Sequence, residues 1–156
     1  MSENIWYGYN GKKYITLGKK VSNTDLMYEI FIGLNDKSLF CLVDCTNDWY
    51  EDEYHIIEIK NLKKKIKNYM MSNIKEVEIG ETIECNHCYV GTIGQFILKN
   101  KSLYLKYNKP IYPKYEHNEI PPLHYYKKIN YKLCYYHIIT INNLLKKIKK
   151  YKELKK

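Results

Sequence analysis

The sequence predicts an α+β fold: a single domain of antiparallel hairpins, with roughly eight to ten short strands, one central helix and one C-terminal helix. Three observations predict it. Short runs rich in Ile, Tyr, Leu and Val recur along the chain, bounded by Asn, Asp, Gly or Ser. Two stretches instead space their apolar residues by three and four, the helical period. At 156 residues and 45% hydrophobic content, the chain is long enough for one core and too apolar for global disorder. The domain is expected to span residues 1–151, with 152–156 as a frayed basic tail.

The elements follow in order. Trp6–Tyr9 and Lys12–Leu17 flank Asn10-Gly11, a dipeptide suited to the positive φ values of a type I′ hairpin turn. Leu26–Leu34 and Ser38–Asp44 form a second hairpin around Asn35-Asp36-Lys37, after a turn at Ser22–Asp25. Thr46–Glu53 is expected to be an acidic loop carrying Trp49, and Tyr54–Ile59 a strand. Asn61–Met71 reads as the first helix, with Leu62, Ile66, Tyr69 and Met70 on one face and Asn61 capping its start. Val77–Glu84 is predicted as one strand and Cys85–Cys88 as a tight connection. Tyr89–Leu98 and Leu103–Tyr107 make a third hairpin around Lys99–Ser102. Asn108–Pro122 holds all four prolines and is expected to be a surface-following loop, its pre-proline residues biased to extended backbone. Leu123–Lys128 pairs with Tyr131–Ile139 as a last hairpin. The C-terminal helix runs from Thr140 to Tyr151 and turns Ile141, Leu144, Leu145, Ile148 and Tyr151 toward the core.

The composition is unusual in two ways. The chain contains no alanine and no arginine, so all 26 of its basic residues are lysine. Abundant Lys, Asn, Ile and Tyr, all with A- and T-rich codons, point to an AT-biased genome such as that of a phage, a large virus or another mobile element. Without guanidinium groups the chain can hold phosphates as point charges but lacks the bidentate fork that reads guanine. The net charge of +9 is also uneven. Residues 1–60 carry six lysines and ten acids, whereas Lys127–Lys156 alone carries ten lysines and one acid. Such polarity suits an acidic partner at the C-terminal end.

That end supplies the first set of candidate residues. Lys146, Lys147, Lys149 and Lys150 crowd the last helix, and Lys127, Lys128 and Lys132 interleave with Tyr131 and Tyr135. Lysines hold phosphates, and tyrosine rings can stack unpaired bases. Along a strand, Tyr131, Leu133, Tyr135 and His137 would share one face. The second set is acidic: Asp48, Trp49, Glu51, Asp52 and Glu53 could seat a protein partner, with Trp49 as an anchor. The third is metal-like. Cys85-Asn-His-Cys88 has the bite of a zinc knuckle, with Cys41 and Cys45 as the candidates for completing four ligands.

The sequence contains no phosphate-cradling glycine loop, no Gly-x-Ser-x-Gly and no His-Glu-x-x-His, so no catalytic residues are assigned. No apolar run approaches the roughly 18 residues of a membrane helix. The N-terminus lacks a basic start followed by an apolar stretch, and the cysteines number five; both suit a reducing, cytoplasmic setting. The expectation is a small non-catalytic protein that binds nucleic acid, or a nucleoprotein machine, through its lysine-rich C-terminal surface. The rival expectation is a protein-directed inhibitor or immunity-type protein that uses the acidic Trp49 loop.

Overall fold

The computed structural model describes residues 5–23, 28–47, 50–85, 92–111 and 130–154. The first sheet is an antiparallel meander in which each strand pairs with the next: β1 (Ile5–Tyr7), β2 (Lys13–Asn23), β3 (Tyr28–Leu34), β4 (Ser38–Asn47) and β5 (Tyr50–Lys60). Helix α1 (Leu62–Met71) then leads to β6 (Glu76–Glu78), β7 (Ile83–Cys85), β8 (Thr92–Lys99), β9 (Ser102–Ile111) and β10 (Asn130–Thr140). These build a second antiparallel sheet of order β10-β9-β8-β6, in which β7 also pairs with β8. Helix α2 (Ile141–Leu154) follows β10 directly. The architecture is α+β, as the sequence predicts.

Period-two alternation decides which side of each strand is buried. Ile15 and Leu17, Ile32 and Leu34, Leu39 and Cys41, and Ile57 and Ile59 line the inner face of the first sheet. Phe96 and Leu98 with Leu103 and Leu105 do the same in the second. Leu62, Ile66 and Tyr69 of α1, and Ile141, Leu144, Ile148 and Tyr151 of α2, complete one shared core. Met70 and Leu145, expected to join it, are 46% and 38% exposed. Each sits one residue past a buried neighbour, about 100° around the helix, and so falls off the stripe.

The turns differ from expectation in an informative way. At the first hairpin the Gly8 N–H donates to the Lys12 carbonyl at 3.1 Å, and the Gly11 N–H donates to the Gly8 carbonyl at 2.9 Å. Only Gly11 has positive φ there, at 76°. This is a three-residue loop ending in a left-handed glycine, not a type I′ turn. Type I′ geometry appears instead between β8 and β9, where Asn100 and Lys101 have φ of 49° and 57°. Both helices hold that turn: the Tyr69 hydroxyl accepts from the Lys101 N–H at 3.1 Å, and the Ile141 N–H donates to the Lys101 carbonyl at 3.0 Å. A lysine in the left-handed region is strained, and glycine relieves that strain while adding unfolded-state entropy. Lys101→Gly is therefore expected to raise stability by about 0.5–1 kcal/mol in urea unfolding. An unchanged or lowered midpoint would show that the helices, rather than the local backbone, govern this position.

Other boundaries move for identifiable reasons. The expected Thr46–Glu53 loop is mostly ladder: β4 and β5 extend until Asn47 faces Tyr50. Val77–Glu84 splits into β6 and β7 around Gly80, where a Cβ would stand 3.0 Å from Ile59 Cδ1 of the first sheet. The chain stays tied to β8 across this gap, because the Ile79 N–H donates to the Phe96 carbonyl at 3.0 Å. Asn61 does not cap α1 through its side chain; it adopts a left-handed conformation with φ 56°. The first helical N–H, from Leu62, donates to the Lys37 carbonyl at 3.1 Å instead. Asn108–Ile111, expected in the proline loop, continues β9 beyond its pairing with β8, so Pro110 meets no second neighbour needing its missing N–H. Among the described residues β10 pairs with β9, and Leu123–Lys128, its expected hairpin partner, lies outside them. Helix α2 continues to Leu154, three residues past the expected stop at Tyr151. Lys152 in its last turn suits the negative end of the helix dipole.

Candidate nucleic-acid interface

The C-terminal lysines are placed by two adjoining elements. The apolar stripe of α2 faces the core, which turns Lys146 and Lys149 to solvent and leaves Lys147 and Lys150 half-buried at the helix edge. Lys146, Lys147 and Lys150 line one groove of about 450 Å³. Its other wall is the end of β10, from His137 to Thr140, with Asn143 and Leu17 completing it. Among the described residues the lining contains no carboxylate. Lys149 lies on the same helix outside this groove.

Among the described residues, β10 lies at one edge of the second sheet. Its register sets Tyr131, Leu133, Tyr135 and His137 on one face, opposite Pro110, Asn108, Lys106 and Tyr104 of β9. Tyr131 and Leu133 are 44% and 49% exposed, and Lys132 on the other face is exposed too. Here, among the described residues, β9 and β10 have run past β8 and pair with each other alone.

Further along the strand the same face is already engaged. The Lys106 ammonium contacts Glu76 Oε2 at 2.7 Å, and Lys99 lies 4.0 Å from Glu76 Oε1. The bond from Lys106, aided by the Tyr135 hydroxyl, holds the Glu76 carboxyl below its usual range, and Glu76 in turn raises the Lys106 pKa. Lys99 Nζ also sits 3.8 Å over the Tyr135 ring. The Tyr104 ring meets Tyr135 edge-on at 6.3 Å and His137 at 5.2 Å, while His137 Nε2 lies 3.1 Å from Ser102 Oγ. Tyr135, expected to stack a base, therefore already carries a cation on one ring face. Tyr131 is the tyrosine of this strand that combines exposure with a position near Lys132.

The other expected sites are not assembled within the described residues. Lys127, Lys128, Asp48, Trp49 and Cys88 lie outside them. Glu51, Asp52 and Glu53 fall within β5, Cys45 within β4, and Cys85 ends β7. Cys41 is 0% exposed in the apolar core, and burial pushes its thiol pKa well up. A zinc ligand must be a thiolate, so this environment opposes the role considered for Cys41. Among the described residues no three His, Cys, Asp or Glu side chains gather as a metal site, and no helix is long and apolar enough to cross a membrane.

Sequence reasoning missed a second site, which shares no lining residue with the α2–β10 groove. A cleft of about 620 Å³ opens between the β1–β2 loop, the β3–β4 turn, the end of β5 and Tyr151 of α2. Its lysines come from the part of the chain whose overall balance is acidic, so only the topology gathers them. Searches against protein-family models, curated proteins and solved structures give no match to this chain.

Proposed function

We propose that this chain is a non-catalytic nucleic-acid-binding protein that engages the phosphate backbone through α2 and the adjoining end of β10. One observation carries the reading: Lys146, Lys147 and Lys150 line a single groove with the end of β10. Three ammonium groups along about one helical turn match a chain of phosphates better than one localised charge. Exposed Tyr131 and Lys132 extend the same strand beyond the groove. The chain has no arginine, so recognition would be tolerant of sequence.

The test is fluorescence anisotropy with labelled single-stranded 20-mers of differing sequence over 50–200 mM salt. Three phosphate contacts on a single strand correspond to a log–log salt slope of about −2, or roughly a fifteenfold loss over that range. Replacing Lys146, Lys147 and Lys150 together with glutamine is expected to weaken binding at least about tenfold at low salt and to remove most of that slope. A triple variant with wild-type affinity and slope would overturn the proposal. A protein partner from source cells that persists through nuclease and moderate salt would favour the inhibitor reading instead.

A further inference from the structure

The cleft and the α2–β10 groove share no lining residue, yet β2 and α2 run beside both. Lys13, Ile15 and Leu17 alternate onto one side of β2, the side on which α2 packs. Lys13 lines the cleft and Leu17 the groove, about 13 Å away at the rise of a strand. On α2, Asn143, Lys147, Tyr151 and Leu154 follow one another at helical spacings of four, four and three, so they share one edge. Asn143 and Lys147 line the groove, whereas Tyr151 lines the cleft. A small dent joins the two, bounded by Ile5, Lys13, Ile15, Tyr151 and Leu154. The Tyr151 hydroxyl fixes this crossing by donating to the Lys13 carbonyl at 2.9 Å.

The cleft is basic in its own right. Lys12 follows the first hairpin turn, Lys13 opens β2, Lys37 sits in the β3–β4 turn and Lys60 ends β5, against the two acids Asp36 and Glu58. Glu58 is already engaged on its Oε1 atom, which lies 3.0 Å from Ser38 Oγ, 3.3 Å from the Tyr14 hydroxyl and 3.8 Å from Lys12 Nζ. Asn35 orders the turn that carries Lys37, its Oδ1 accepting the N–H groups of Lys37 at 2.9 Å and Ser38 at 2.6 Å. Lys13, Lys37 and Lys60 are exposed. Lysines gathered in a concave site focus their field on an anionic ligand.

We infer that the groove and the cleft are two stations of one track for a single strand of nucleic acid, which leaves the groove at Lys147 and Lys150, crosses the α2–β2 edge at Lys13 and continues to Lys37 and Lys60. This extends the reading of the groove as a phosphate-binding surface and rests on it. The gap of about 13 Å corresponds to about four stacked nucleotides at about 3.4 Å each. With about three phosphates held at each station, the footprint is about ten nucleotides. A duplex is stiff over about 150 base pairs, whereas a single strand can dip into two neighbouring concavities. The apolar wall between the stations, formed by Ile5, Ile15 and Leu154, offers no charge to repel the strand as it crosses.

Fluorescence anisotropy with labelled single strands of 4, 8, 12 and 20 nucleotides tests it. The intact chain is compared with the cleft variant Lys13→Gln/Lys37→Gln/Lys60→Gln, with the triple glutamine variant of the groove, and with Lys64→Gln/Lys67→Gln/Lys75→Gln as a control of equal charge loss. The cleft and control substitutions are all at exposed positions, so the fold is retained. The groove alone accounts for a log–log salt slope of about −2; six phosphate contacts give about −4, or roughly a 250-fold loss between 50 and 200 mM salt. The intact chain is expected to show that steeper slope with the 20-mer and to gain affinity with length up to about 12 nucleotides. The cleft variant is expected to bind the 20-mer at least tenfold more weakly at low salt, with a slope near −2, and to bind the 4-mer as the wild type does. Wild-type slope and affinity in the cleft variant would overturn the inference while leaving the groove reading intact, provided the groove variant is impaired. An equal loss in the control variant, or the same fractional loss at every length in the cleft variant, would also overturn it, since neither describes a strand that spans two stations. Absence of binding by the intact chain would overturn both readings.

Discussion

Phe96→Ala is expected to cost about 3–5 kcal/mol of stability, the range for removing a fully buried phenylalanine. Phe96 is 0% exposed and belongs to the core shared by the sheets and helices. Its carbonyl accepts the Ile79 N–H where the β6–β7 row breaks, beside Gly80 and Ile59. Truncation therefore opens a cavity where the second sheet meets the first, and neither sheet can collapse inward without moving the other. A domain of this kind has about 5–15 kcal/mol in total, so the variant stands near the threshold of folding. Urea unfolding against Tyr131→Ala gives the measurement, the control lying on an exposed strand surface and expected to move by less than about 0.5 kcal/mol. If Phe96→Ala lost no more than the control, the two sheets would not share the core described.

The second large effect is on the opposite face of the first sheet. Gly33→Val is expected to destabilise the chain by about 1–3 kcal/mol through overpacking. A Cβ at Gly33 would stand 2.9 Å from two ring carbons of Trp6 and 2.9 Å from Tyr14 Cβ. Trp6, Tyr14 and Phe40 form an aromatic cluster there, with ring centroids 4.9–6.1 Å apart. Valine favours strands in general, so a propensity argument gives the wrong sign here. Near-ultraviolet circular dichroism together with urea unfolding checks it: the aromatic signal should fall along with the midpoint. A gain in stability with an unchanged spectrum would mean that the Trp6 ring does not lie over Gly33.

The elements were legible in the sequence wherever the pattern was local. The helices could be read from Leu62, Ile66 and Tyr69 and from Ile141, Leu144 and Ile148, because a buried stripe imposes its period on the residues themselves. The hairpin around Lys99–Ser102 was legible for the same reason. Its turn type was not, because Asn100-Lys101 lacks the glycine that usually reports a type I′ turn and is held from outside by Tyr69 and Ile141. Asn10-Gly11 misled in the opposite direction, since Gly11 alone took the left-handed conformation. The break at Gly80 depended on Ile59, a residue of the other sheet.

The candidate sites divide along the same line. Lys146, Lys147 and Lys150 are close in sequence, so their shared edge followed from helical spacing. The engagement of Tyr135 by Lys99 and Glu76 did not, because it needed the register of β8, β9 and β10. The lysines of the cleft are separated by as many as 48 positions, from Lys12 to Lys60, so no short window along the chain could have collected them.

The bond from Tyr151 to the Lys13 carbonyl bears on the order in which the chain can be completed. The first sheet is a meander whose neighbours are adjacent in sequence, so its pairing can form as soon as residues 5–60 have been synthesised. Its inner face cannot be covered then, because α2 comes from the far end of the described chain. A ribosome-bound chain that stops at β10 presents Ile15 and Leu34 without the helix that packs among them. Helix α2 thus works as a latch, and the nascent protein carries an open apolar face until that helix has left the exit tunnel.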